Sequence, residues 1–207
     1  MSERPRLRVL FELSGVVPLA VYTVVHVASY AGALFGSARF GVEASTEPAW
    51  LAFELALVWF PLAFHVAYGL SLFTTPLPSE RPERQRGILL RASGLGALPF
   101  IVGHSLWLRA PLWRGTRSPD DIQQMLAAGL SSTVRGFPLS AALHCLGLGA
   151  VALHLALGLA AFAEKWGLLA QSPARRAANL FSLALFLVGG ATVIELATGS
   201  LLPRFTR

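Results

Sequence analysis

Five histidines, His26, His65, His104, His144 and His154, are the residues of this sequence best suited to chemistry, and each falls inside a long apolar run. An ionisable side chain at membrane depth is costly to place and marks functional pathways. One buried histidine is equally well explained by a hydrogen bond to a neighbouring helix. Five in apolar runs, with none in a connecting segment, point to a shared purpose. Neutral imidazoles facing each other across a helical bundle suit the iron of a haem. With both axial positions filled, iron changes valence without binding substrate, which makes an electron-transfer site.

Depth sorts the histidines. His65 stands nine residues before Thr74, and His154 nine before Ala163. At the rise of a helix, each lies about 14 Å from the surface where its run ends. His26 is fourteen residues beyond Glu12 and His104 seventeen beyond Gly87, which puts both about 21 to 26 Å from that surface. The result is an inner pair, His65 and His154, and an outer pair, His26 and His104. Gly69 and Gly158 each follow an inner histidine by four residues, so one helix face carries a donor and then room for a macrocycle. Small residues that simply let membrane helices approach explain either glycine alone, and also Gly94, Gly96, Gly103, Gly147 and Gly149. His144 is surplus. It lies ten residues before His154, about 15 Å toward the outer side and on a different helix face. It could compete with His104 for iron, bond a haem propionate, or serve a quinone. A supporting role beside the ligands is favoured over ligation.

The elements that carry these residues follow from composition. The chain is 54% hydrophobic and 14% charged, against about a quarter charged in soluble proteins. Five runs, about 13–36, 49–74, 87–109, 137–163 and 177–199, reach the roughly 20 residues that a bilayer span requires. The expected fold is all-α, an integral membrane bundle of five transmembrane helices in one domain, with no solenoid repeat. The longest connection, 110–136, holds a run from Ile122 to Leu130 that suits an amphipathic helix. Arg4, Arg6 and Arg8 precede a run of full spanning length, so no cleavable signal is expected.

With the N-terminus inside, inner segments hold ten Lys and Arg and outer segments seven. That bias favours a cytoplasmic N-terminus and an outside C-terminus. The net charge of +6 comes from arginines between the spans, with no basic stripe interleaved with aromatics; nucleic acid is not an expected partner. Cys145 is the sole cysteine, which excludes an intrachain disulfide or thiolate cluster and fits a small packing residue.

Other polar residues are candidates by position. Glu54 and Glu195 lie within spans, Glu54 near the outer end where it could serve a quinone site as proton acceptor. Glu43 and Glu47 are weaker candidates, and solvation at helix ends accounts for all four more simply. Arg109 and Arg114 suit haem propionates, since arginine binds carboxylates bidentately; snorkelling to headgroups serves as well. Trp50, Trp107, Trp113 and Trp166 fit an interfacial belt.

Several stretches carry a family likeness: Gly15-Val-Val-Pro18 leading to His26, Phe60 to Gly69 around His65, His104 followed by Trp107, and His154-Leu-Ala-Leu-Gly158 leading to Lys165-Trp-Gly167 and Ser172-Pro173. From about residue 8 to 176 the chain resembles succinate dehydrogenase cytochrome b subunits of the single-anchor, five-helix, di-haem type, also found in related fumarate reductases. The resemblance implies two b haems, one held by His26 with His104 distal from the catalytic subunits, the other by His65 with His154 proximal to them. It implies electrons passing between an iron–sulfur subunit and quinone, with menaquinone favoured, and a flavoprotein subunit docked beyond, on the inner face of the cytoplasmic membrane. Succinate chemistry would belong to those partners, so no catalytic residue is assigned here. Ala152 stands two residues before His154, where some fumarate-reducing relatives carry a proton-carrying glutamate, so that route is not expected. Phe11-Glu-Leu-Ser14 lacks the expected polar pattern, so quinone or propionate contacts are not expected there. Two other readings share parts of the pattern: a cytochrome b serving a hydrogenase or formate dehydrogenase, and a non-redox transporter or scaffold whose helices pack through histidines.

Overall fold

The computed structural model describes residues 5–35 and 47–198; Glu43 and the segments at either terminus lie outside them. Five helices are long and apolar enough to cross a membrane: α1 (Arg6–Phe35), α2 (Pro48–Thr74), α3 (Arg81–Trp113), α5 (Leu139–Lys165) and α6 (Gln171–Thr198). A shorter helix, α4 (Pro119–Ser131), joins α3 to α5. No strand occurs among the described residues beyond an isolated bridge between Val134 and Phe137. The chain is thus a multi-span, all-helical membrane protein.

The five spans are those expected from hydropathy, but three are longer, α6 among them, starting at Gln171 where 177 was expected. α1 starts at Arg6, and α3 extends past 87–109 at both ends. Hydropathy reports the hydrocarbon thickness, whereas the backbone stays helical into the interface, where charged side chains remain solvated. α3 and α5 stop at left-handed glycines, Gly115 (φ 64) and Gly167 (φ 65). Each glycine N–H and the one after it reach back to the last-turn carbonyls, Leu112 and Pro111 in α3, Glu164 and Ala163 in α5, a closure that suits a residue without Cβ.

Two spans contain a wide π turn. In α1 it covers Gly15–Ala20 and contains Pro18; in α2 it covers Leu55–Trp59, just ahead of Pro61. Proline lacks an N–H, and its ring crowds the carbonyl four residues back; a π turn relieves that crowding.

α5 packs mainly on α6 and α3, and α1 on α2. Many large apolar side chains face outward, Leu146 and Leu180 among them, as a lipid-facing surface requires. At the end of the bundle where α1 begins, called the inner end, Glu164 accepts hydrogen bonds from Arg86 (2.9 Å) and Arg175 (3.0 Å) and ties α3, α5 and α6 together. Lys165 and Trp166 both reach Glu12 on α1. At the opposite, outer end, α4 forms a roof. Ser118 and Asp121 make a reciprocal capping box at its start. Ile122, Leu126 and Leu130 bury their side chains on Leu108, Leu112 and Ala141. This is the amphipathic helix expected over 122–130.

Candidate functional site: two histidine pairs

The structure brings four histidines together in the expected pairs. At the inner level, His65 on α2 and His154 on α5 have ring centroids 6.1 Å apart and planes at 88°. At the outer level, His26 on α1 and His104 on α3 are 5.9 Å apart, also at 88°. On α3, Gly94 backs His154 while His104, ten residues later, faces His26. The two levels are therefore about 15 Å apart along the helix axis.

Hydrogen bonds fix the inner rings. His65 Nδ1 lies 3.1 Å from the Phe11 carbonyl and 3.3 Å from Ser14 Oγ. His154 Nδ1 lies 3.2 Å from the Leu90 carbonyl and 3.3 Å from Ser93 Oγ. A carbonyl only accepts, so Nδ1 carries the proton and Nε2 keeps its lone pair for a metal. Metal-ligating histidines are commonly oriented this way. Behind each serine stands a glycine that the ring needs. A Cβ on Gly15 would come within 2.6 Å of the His65 ring, and one on Gly94 within 3.0 Å of His154.

The same seat is thus built twice, from Phe11, Ser14 and Gly15 on α1 and from Leu90, Ser93 and Gly94 on α3. Eleven residues separate Gly15 from His26, but ten separate Gly94 from His104. The π turn in α1 absorbs the extra residue, so both helices present seat and outer histidine in the same phase. The partner helices agree as well: His65–Phe73 (HVAYGLSLF) and His154–Phe162 (HLALGLAAF) share five of nine residues. Ser14 and Ser93 are contacts that the sequence reading missed; the paired Ser-Gly dipeptides were the available signal, masked by unequal spacing. Phe11 to Ser14, where no quinone or propionate contact was expected, serves an inner histidine instead.

Aromatic side chains surround the outer rings. Tyr22 and Tyr30 flank His26 at 5.5 and 4.7 Å, and Phe100 stacks on His104 at 5.4 Å. His144 lies beside His104, ring centroids 5.4 Å apart, with its Nε2 3.4 Å from His104 Nδ1. Its own Nδ1 is 2.8 Å from the Ser140 carbonyl.

Both pairs fit haem iron. Two metal–imidazole bonds of about 2.0–2.1 Å in line put the ring centres about 6 Å apart, the spacing seen at each level. Perpendicular ring planes are compatible with axial ligation, since both planes contain the axis. A Cβ on Gly158 or Gly103 would meet no atom within 4 Å, so the backbone borders open space at those points. Gly69 instead faces Phe11, whose ring stacks on His65 at 4.5 Å. Among the described residues no three His, Cys, Asp or Glu side chains converge; paired imidazoles are the donor sets on offer.

At the outer end, Glu54 of α2 and Arg109 of α3 form an ion pair, with residue exposures of only 5% and 8%. Solvation of Glu54 at a helix end and snorkelling of Arg109 are both overturned by that burial. Arg109 Nε and Nη1 and Trp59 Nε1 are buried without a partner. Arg109 lies over the Trp113 ring at 5.8 Å, and Trp113 meets Trp59 at 5.5 Å. Such buried donors call for an acceptor, and a propionate five residues beyond His104 would supply one. Arg114 and Glu47 are exposed, and Glu195 is half-buried near the end of α6. Trp107 is packed under α4, where a Cβ on Gly129 would strike its ring.

Over 186 residues the chain is 26% identical to the succinate dehydrogenase cytochrome b558 subunit of Bacillus subtilis (strain 168), covering 86% of this chain and 88% of that protein. The likeness is to a succinate dehydrogenase cytochrome b. It spans most of both proteins. No family model and no solved structure matches the chain.

Proposed function

We propose that this chain is the membrane-anchor cytochrome b of a succinate:quinone oxidoreductase, binding two b haems and passing electrons between an iron–sulfur subunit and quinone. The observation that carries the proposal is two histidine pairs, each at the spacing of a shared metal, on levels about 15 Å apart. Haem b supplies a one-electron ferric–ferrous couple when held between such imidazoles. His65 and His154 would hold the inner group, and His26 and His104 the outer. Held between two imidazoles, the metal would have no open place for substrate. Gly158 borders the space for the inner macrocycle, and Gly69 seats Phe11 against His65. Arg109 Nε and Nη1 suit the outer propionates, and Glu54, buried beside it, is the carboxylate placed to take a proton from a quinol. Menaquinone is the favoured quinone.

The excess of Lys and Arg in the segments on the N-terminal side of the spans, ten against seven, supports a cytoplasmic N-terminus and an outside C-terminus. The charged inner end around Arg86, Glu164 and Arg175 would then face the iron–sulfur subunit, with the flavoprotein beyond it. The test is a reduced-minus-oxidised spectrum with a haem count on the purified chain. Two b haems per chain are expected; absence of any b-type α-band, with haem supplied, rejects the proposal. Co-purification with a flavoprotein and an iron–sulfur protein separates it from a cytochrome of a hydrogenase or formate dehydrogenase.

A further inference from the structure

Neither the pairing of four histidines nor the likeness to a succinate dehydrogenase cytochrome b gives the fifth a task. We infer that His144 is a positioning residue for the outer haem: it accepts the Nδ1 proton of His104 and so holds that ring with Nε2 toward His26. The inference rests on the two-haem reading.

The argument runs along one chain of hydrogen bonds. The Ser140 carbonyl, 2.8 Å from His144 Nδ1, can only accept, so His144 carries its proton on Nδ1. Its Nε2 is then a bare acceptor, and that nitrogen lies 3.4 Å from His104 Nδ1. His104 must therefore be protonated on Nδ1, which leaves Nε2 unprotonated for iron. Among the described residues, His144 is the only hydrogen-bond partner of the His104 side chain. The inner histidines obtain the same tautomer from backbone carbonyls of a neighbouring helix. His104 obtains it from an imidazole.

The other tasks open to His144 need a free ring nitrogen, and neither nitrogen is free. Ligating iron, bonding a propionate and contacting a quinone would each break one of the two bonds. The ring is also clamped. Phe100 presses on it edge-on at 5.7 Å while stacking on His104, and Trp107 closes in at 6.3 Å. Gly147 is what lets Phe100 lie so close, because a Cβ there would overlap the Phe100 ring. A cavity of about 250 Å³ borders the pair, so a substituted side chain at 144 has room.

An acceptor on Nδ1–H raises the basicity of a metal-bound imidazole and so favours ferric iron. Two variants separate this role from packing: His144→Leu removes the acceptor, and His144→Gln returns a carbonyl oxygen near the place of Nε2. Each is purified in the full complex, and both haems are titrated and examined by ferric electron paramagnetic resonance. His144→Leu should raise the outer midpoint potential and alter the outer low-spin signal, or lose the outer haem, with the inner haem unchanged; His144→Gln should restore the outer haem toward the parent. Two haems with unshifted potentials in both variants would overturn the inference while leaving the two-haem reading intact. Loss of the outer haem in both variants, with His104→Leu keeping two, would overturn it in favour of His144 as ligand. A parent chain that binds no haem at all fails the underlying reading instead.

Discussion

The inner and outer levels hold the same kind of histidine pair by different means. At the inner level each Nδ1 meets a backbone carbonyl, Phe11 or Leu90, from the neighbouring helix, with a serine and a glycine completing the seat. At the outer level Tyr22 and Tyr30 flank His26 and Phe100 stacks on His104, whose Nδ1 meets the His144 imidazole in place of a carbonyl. A backbone acceptor survives every substitution of its own residue. A side-chain acceptor does not. The inner pair is therefore fixed by the course of the helices, whereas His104 is held through a side chain that a single substitution can change.

The comparison is broken most directly by removing ligands. His65→Ala or His154→Ala should lose the inner haem and halve the haem content, leaving the outer haem in place. His26→Ala or His104→Ala should do the reverse, as a redox titration of each variant will read. Next in size is Arg109→Leu. It strands the buried carboxylate of Glu54, a loss of about 3–5 kcal/mol for a broken buried pair, so thermal unfolding in detergent should fall well below the parent and outer haem occupancy should drop first.

Smaller effects sharpen the contrast. Gly15→Ala places a methyl 2.6 Å from the His65 ring, and Gly94→Ala one 3.0 Å from His154. Overpacking of this kind costs about 1–3 kcal/mol, so both should lower inner haem occupancy, Gly15→Ala more. The smallest concerns the roof of the outer level. The Ser118 backbone N–H, then its hydroxyl, hold the Asp121 carboxyl below its ordinary range. A depressed folded value means that the stabilisation is present above the unfolded pKa and fades as pH falls through the folded one. Hydrogen-exchange protection factors at the start of α4, corrected for the intrinsic rate, should thus fall on acidification below the usual carboxylate range, and Asp121→Asn should remove that dependence.

Much of this was legible in the sequence, because a helix rises by a fixed amount per residue: depth alone sorted His26, His65, His104 and His154 into two layers. Span ends were less legible, since hydropathy registers lipid and not backbone, and α3 continues past it on both sides. The inner seats left a faint trace because their acceptors are carbonyls that every residue possesses. The pairing of Glu54 with Arg109 depends on how two helices are rotated about their axes, which spacing along one chain does not report. His144 read as surplus by depth alone, and its partner emerged only once α3 and α5 were side by side.

The wide turn at Gly15–Ala20 has a consequence for engineering. In a regular helix, deleting a residue swings everything downstream by about 100°. Here the deletion would tighten the turn into an ordinary coil and leave His26 pointing where it did, so α1 should tolerate a shortening at Val16 or Val17 that α3 would not survive between Gly94 and His104.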